Sequence, residues 1–277
     1  MKQNRANVIA MLTLAASLGA SGALAKDEPK GDGVKVGEAS SFRKLVSAES
    51  IEKQATQQYA ALKRDTAAKQ ALAPDNHPQV IRLRAIAKKM LPFVGKWNPR
   101  ADKWQWEVNV IASNQINAFC MPGGKIAFYT GILEQLKLTD DEVAVVMGHE
   151  ISHALREHAR EQAGKNAATK GAAVLGSILT GGKYDGLIST GSNLLSLNYS
   201  RSDETDADLV GLDLTARAGY DPRAGVTLWQ KMGAANKGAP PQWLSTHPSG
   251  TNRIKEIEKH LPEVMPVYER ARAAQGK

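Results

Sequence analysis

The sequence predicts a predominantly helical α+β domain with one small sheet. Two patterns carry that expectation. Apolar residues recur at helical spacing on either side of the middle of the chain, and between them the period switches to strict alternation at Trp104, Trp106, Val108 and Val110. No segment of 20–50 residues repeats, which argues against a solenoid. The chain has 277 residues, 42% hydrophobic and 23% charged, enough to bury a core and too apolar for disorder throughout. One cysteine, Cys120, excludes an internal disulfide framework and the cysteine-rich kinds of zinc site.

Residues 1–25 read as a cleavable export signal: Lys2 and Arg5, an apolar run from Val8 to Leu18, then Ala23-Leu24-Ala25 before Lys26. No cysteine stands at the cleavage site, so lipid attachment is not expected. Residues 26–40 are polar and glycine-rich, a disordered leader. From Ser41 to Ala73, sparse apolar positions at Leu45, Ile51, Ala55, Tyr59 and Leu62 suit one or two amphipathic helices, which Pro74 to Pro78 end. Another helix follows, its stripe formed by Ile81, Leu83, Ile86, Ala87, Met90 and Leu91, up to Pro92. Residues 104–110 then form a half-buried strand. Residues 116–130 supply two more around Pro122-Gly123-Gly124, a hairpin signal.

Thr139 and Glu142 stand three apart, as in a capping box, so a helix begins near Asp140 and runs to about Gln162. Residues 164–193 are rich in small residues and admit a loop, weak helices or a cover over a cleft. A helix from about Ser202 to Ala218 ends at Gly219, and Asp221-Pro222 starts the next. The last helical stretch, from Ser249, is divided by Pro262.

Chemistry centres on His149-Glu150-Ile151-Ser152-His153, an H-E-x-x-H pattern in a strongly apolar helix. Residues four apart share a helix face, so His149 and His153 can offer nitrogens to one metal ion. Glu150 then lies beside the ion, placed to move protons to and from water and a leaving amine. Burying these groups without a metal or partners would be costly. A third ligand is available in Glu204, and Asp208, four residues on, can accept from the outer nitrogen of a ligand histidine. Read alone, that acidic helix start would only complement the helix dipole. The H-E-x-x-H upstream favours the ligand reading.

These motifs, followed by His247-Pro248-Ser249-Gly250-Thr251-Asn252-Arg253-Ile254, resemble the zinc metallopeptidases related to HtpX and the CAAX prenyl protease. Asn117-Ala118-Phe119 with Pro122-Gly123-Gly124 also matches the strand pair beside those active sites. The likeness covers about residues 75–260 and points toward the soluble periplasmic BepA and LoiP type. The chain departs from that type in lacking a lipid-attachment cysteine and a repeat-bearing C-terminal domain.

The resemblance implies a zincin-like domain over 74–261 with a small antiparallel sheet beside the H-E-x-x-H helix, a helical extension within 26–73 and a C-terminal tail at 262–277. It implies one Zn2+ held by His149, His153 and Glu204, with Glu150 as general base and acid and Asp208 as a support. His247 would stabilise an oxyanion or occupy the open zinc position. Arg253 is a second charge donor or, as most such arginines are, a structural ion-pair partner. An extended peptide would add to the exposed strand edge, a mode that suits unfolded proteins.

The expected function is therefore that of an exported, periplasmic zinc endopeptidase cutting misfolded or misassembled envelope proteins. A metal-containing chaperone with little turnover is the alternative. The net charge of +8 clusters nowhere and suits loose attraction to an anionic membrane. No nucleic-acid motif accompanies it. His158, five after His153, would point elsewhere on a continuous helix and, with Arg156 and Arg160, be solvated. His77 and His260 stand alone near helix ends, Cys120 is a buried thiol, and Trp104 and Trp106 belong to the core.

Overall fold

The computed structural model describes residues 32–180, 193–235, 241–247 and 253–276. The export signal at 1–25 lies outside them, as do residues 181–192 of the small-residue stretch. Residues 32–40, expected within a disordered leader, instead run along the body. Val34 is buried, Lys96 and Arg217 donate to the Asp32 carbonyl, and Arg156 donates to that of Gly37. Three cations placed by the fold anchor this stretch through its backbone, which composition does not reveal.

A turn of 3-10 helix at Ser41–Leu45 leads to α1 (Ala48–Ala68), capped by the Ser47 hydroxyl. Ile51, Ala55 and Tyr59 are buried as their spacing predicts, but Leu45 is 58% exposed. In α2 (Pro78–Met90) the buried stripe is Val80, Leu83, Ile86, Ala87 and Met90, while Ile81 faces outward. Val80, three before Leu83, continues the helical series better than Ile81 does.

Strands β1 (Glu107–Ile111), β2 (Ala118–Met121) and β3 (Lys125–Tyr129) form a sheet in the order β1-β3-β2. The β2–β3 hairpin turns through Gly123 and Gly124, both at positive φ, a backbone region that glycine reaches most readily. A Cβ on Gly124 would also lie 2.7 Å from the Trp106 ring. The hairpin docks on β1 through its second strand, so Val108 opposes Ile126 and Val110 opposes Phe128 in parallel. The sheet is thus mixed, where a wholly antiparallel one was expected. The outer side of β1 is bridged at Leu72, whereas β2 pairs only with β3 among the described residues.

After α3 (Thr130–Gln135) comes α4 (Asp140–Leu155), which opens on the expected capping box of Thr139 and Glu142. Its residues are buried from Glu142 to Leu155, which accounts for its apolar sequence. The expected run to Gln162 is interrupted at Arg156–Glu157, where Glu157 takes a left-handed φ of 60° and α5 (His158–Thr180) begins. The start of the small-residue stretch is therefore helical.

Helix α6 (Arg201–Arg217) starts at a second capping box, Ser200 with Asp203, and ends before Gly219. It meets α4 backbone to backbone: a Cβ on Gly148 would lie 2.7 Å from the Gly211 carbonyl, and one on Gly211 would lie 2.8 Å from the His149 nitrogen. That close approach sets Glu204 and Asp208 against the α4 histidines. Next come α7 (Ala224–Ala235), α8 (Gln242–Thr246) and α9 (Arg253–Gln275). Helix α9 continues through Pro262 and Pro266, contrary to the expected division. Each proline forfeits one backbone hydrogen bond, and the buried Val264 and Val267 hold the helix on the core. No helix of the described residues is long and apolar enough to cross a membrane.

Candidate metal centre

One turn apart on α4, His149 and His153 direct their Nε2 atoms to a common point, 3.0 Å from each other. Glu204, in the first turn of α6, places Oε2 3.6 Å from His149 Nε2 and Oε1 3.5 Å from His153 Nε2. His247 follows α8 and completes a set whose ligand atoms all lie within 4.8 Å of one another. All four residues are at most 3% exposed. Among the described residues Glu204 Oε1 and His247 Nε2 have no hydrogen-bond partner, a costly condition for buried polar atoms. Zinc bonds of about 2.0–2.1 Å in a tetrahedron separate neighbouring donors by about 3.3 Å. The observed spacings straddle that value, so these residues fit a zinc ion held by nitrogen and oxygen alone.

The two histidines are braced differently. His149 Nδ1 lies 2.9 Å from Asp208 Oδ1, so with Nε2 facing the metal point the Nδ1–H donates to the carboxylate. Arg253 donates to both Asp208 oxygens, at 2.7 and 2.5 Å, and to Glu204, with its guanidinium over the Trp229 ring. It is a buried ion-pair hub. His153 stacks on Tyr199, ring centroids 3.9 Å apart, and its Nδ1 lies 2.9 Å from His158 Nδ1. His158 is therefore not solvated as expected but 4% exposed. The break at Glu157 turns it back toward His153, which a continuous helix would not do.

Glu150 is 2% exposed, accepts from the Trp243 indole at 2.6 Å and lines one cleft with Cys120 of β2. Its carboxylate lies 3.6 Å from His247 Nε2. The edge of β2 thus opens on the same cleft, which Tyr199, Leu195 and Leu197 also line. Trp243, Tyr199 and His158 were not singled out from the sequence as parts of the site. Their contacts come from segments distant in the chain or from the helix break.

Burial sets the protonation of the centre. It lowers His149 to about 4 against the opposing Asp208 bond, and it holds His153 and His247 well below the usual histidine range. Neutral imidazoles are the form that ligates a metal. Burial also raises Glu150 well above the carboxylate range, and Glu204 to about 8 despite Arg253. Asp208 feels the same burial, but the Arg253 charge and the His149 bond outweigh it and hold the carboxyl at about 2.

Elsewhere, the His77 ring caps α2 by accepting from the Gln79 nitrogen, and His260 pairs with Glu263. Cys120 is buried, and Trp104 and Trp106 pack against the core.

The sequence profile of Peptidase family M48 matches residues 80–261. Mitochondrial metalloendopeptidase OMA1 of Arabidopsis thaliana is 41% identical over 171 residues, 61% of this chain and 34% of that protein. Its namesake in Schizosaccharomyces pombe is 34% identical over 197 residues, 69% of this chain and 56% of that protein. Metalloprotease LoiP of Escherichia coli is 26% identical over 197 residues, 70% of this chain and 75% of LoiP. The LoiP type named from the motifs thus matches at lower identity than these two mitochondrial proteins. The chain spans 34% and 56% of their lengths.

Proposed function

The chain belongs to peptidase family M48, and on that premise we propose that it is a zinc-dependent endopeptidase acting on unfolded or misassembled proteins. The observation that carries the reading is the convergence of His149, His153 and Glu204 on one point with Glu150 beside it. These three residues would hold the zinc, which when bound supplies Lewis acidity toward a peptide carbonyl and toward water. Glu150 takes a proton from the attacking water and returns it to the departing amine. The raised proton affinity that burial gives Glu150 suits holding that proton between the two transfers, and Trp243 fixes the carboxylate in place. Asp208, clamped by Arg253, locks the ring of His149.

The outer edge of β2, unpaired among the described residues, receives an extended peptide through backbone hydrogen bonds, so the enzyme favours clients whose chains are already unfolded. His247 Nδ1 lies 3.1 Å from the Trp243 carbonyl and 3.0 Å from the Thr246 hydroxyl. A proton on Nδ1 leaves a bare lone pair on Nε2, which fits a fourth donor better than an oxyanion donor. Catalysis then requires His247 to yield that position to water and substrate. Export through residues 1–25 would place the enzyme in the periplasm, with envelope proteins as clients and the basic surface loosely drawn to anionic membrane.

Zinc-loaded protein incubated with unfolded casein tests the reading. Fragments that a chelator abolishes are expected from the wild type and, with the fourth donor removed, from His247→Ala. Glu150→Gln should keep its zinc and lose about 10²–10⁴-fold in rate. Full activity of Glu150→Gln would refute the mechanism. Suppressed aggregation without cleavage by both wild type and His247→Ala would refute the enzyme in favour of a chaperone.

A further inference from the structure

The two α4 histidines share one motif yet lean on different chemistry. Behind His149 stands a carboxylate, Asp208, in direct contact. Behind His153 stands a second imidazole, His158, and only behind that a carboxylate, with His158 Nε2 lying 3.2 Å from Asp206 Oδ2. Asp206 in turn accepts from Arg156 at 2.5 Å, and Arg156 also donates to the Gly37 carbonyl of the N-terminal stretch. The line runs from His153 through His158 and Asp206 to Arg156.

A metal on His153 Nε2 would assign one tautomer to each ring along this line. If Nε2 of His153 faces a metal, its Nδ1 must carry the hydrogen. His158 Nδ1 must then accept, which leaves the ring hydrogen of His158 on Nε2, where Asp206 accepts it. The Tyr199 ring stacked on His153 restricts the remaining rotation of that imidazole. The position of His158 is equally constrained, since it opens α5 directly after the left-handed Glu157, whose carboxylate is tied to Arg43 and Arg160. The intervening ring also keeps the Asp206 carboxylate one residue away from a centre that already holds Glu150 and Glu204.

We propose that His158, backed by Asp206, is a positioning residue that fixes the tautomer and ring orientation of His153 for metal binding. The inference rests on the zinc reading above and deepens it. Its contribution is to metal affinity and ligand geometry, and it touches neither substrate nor the reacting atoms.

Zinc affinity measured by competition with a chromophoric chelator, with thermal melts of the metal-free proteins alongside, tests it. His158→Ala removes the acceptor and should weaken zinc binding by about 10–100-fold, the range typical of lost outer partners. His158→Asn can place its amide oxygen where Nδ1 was, and should recover most of the loss although it fills less volume. Cobalt-substituted His158→Ala should show a visible spectrum altered from the wild type, and His158→Asn one close to it. Wild-type affinity in His158→Ala would overturn the proposal, as would an Asn variant no better than Ala. If His158→Ala fails to fold, Asp206→Ala decides: zinc binding weakened toward tenfold supports the relay, and unchanged binding overturns it. A wild-type protein that takes up no zinc would instead sink the metal reading itself, and this inference with it.

Discussion

Glu204 and Asp208 lie one turn apart on α6 and touch the same guanidinium, yet burial raises Glu204 to about 8 while Arg253 and His149 hold Asp208 at about 2. Asp208 is therefore anionic at any working pH and a constant partner for His149. Glu204 holds its proton more tightly despite the same Arg253 contact, so ligand and support are separated by surroundings instead of residue type. The same burial governs Cys120, whose thiol is pushed well above its ordinary range, with the negative charge of Glu150 adding to the effect. A thiol reagent at mildly alkaline pH should leave the folded protein unlabelled and modify one cysteine per chain in guanidinium. Rapid stoichiometric labelling of the folded protein would contradict this. At this scale the sequence was most legible where chemistry follows spacing, as in His149, Glu150, His153 and Glu204. It was least legible where a bond joins remote segments: nothing near Trp243 announces that its indole holds a carboxylate 93 positions away.

Among the elements, α4 carries the most, and its N-terminus is secured by more than the capping box. Glu142 accepts from the Thr139 nitrogen, the Thr227 hydroxyl and Lys231, the last at 2.6 Å, tying α4 to α7. Burial alone would raise its carboxyl, but Lys231 and these hydrogen bonds outweigh it and leave the group below its ordinary value. A carboxyl lowered on folding stabilises the protein above its unfolded pKa, and the contribution fades as pH falls through the folded value. Glu142→Gln should therefore cost the metal-free protein about 1 kcal/mol near neutrality, by urea unfolding, and the gap should narrow as pH falls through the lowered folded value of the carboxyl. A gap that stays constant over that range would show that the charge contributes nothing. The capping box itself was readable from Thr139 and Glu142. The end of the helix was not, because Glu157 has no glycine's preference for the left-handed region, and it takes that conformation where it also pairs with Arg43 and Arg160. The parallel β1–β3 pairing was equally hidden, since both hairpin strands alternate suitably and only tertiary docking chooses between them.

For the whole molecule, the centre sits where α4, α6 and the residue following α8 meet, so a bound ion would join segments far apart in the chain. It would also engage buried Glu204 Oε1 and His247 Nε2, which have no hydrogen-bond partner among the described residues. Chelation should therefore lower the melting temperature, and zinc should restore it, with about 2.7 kcal/mol gained at a hundredfold excess over the dissociation constant. Identical melting curves would mean that the fold ignores the metal. The helical class and the order of the motifs were legible because both are properties of the chain alone. The placement of residues 32–40 and the uninterrupted α9 were not, because long-range packing decides them. The central claim is tested most directly by anomalous diffraction at the zinc edge from crystals of the zinc-loaded protein. A single peak is expected within about 2.0–2.2 Å of His149 Nε2, His153 Nε2 and a Glu204 oxygen. A zinc-replete crystal with no peak between those three residues, or with its ion bound elsewhere, would contradict it.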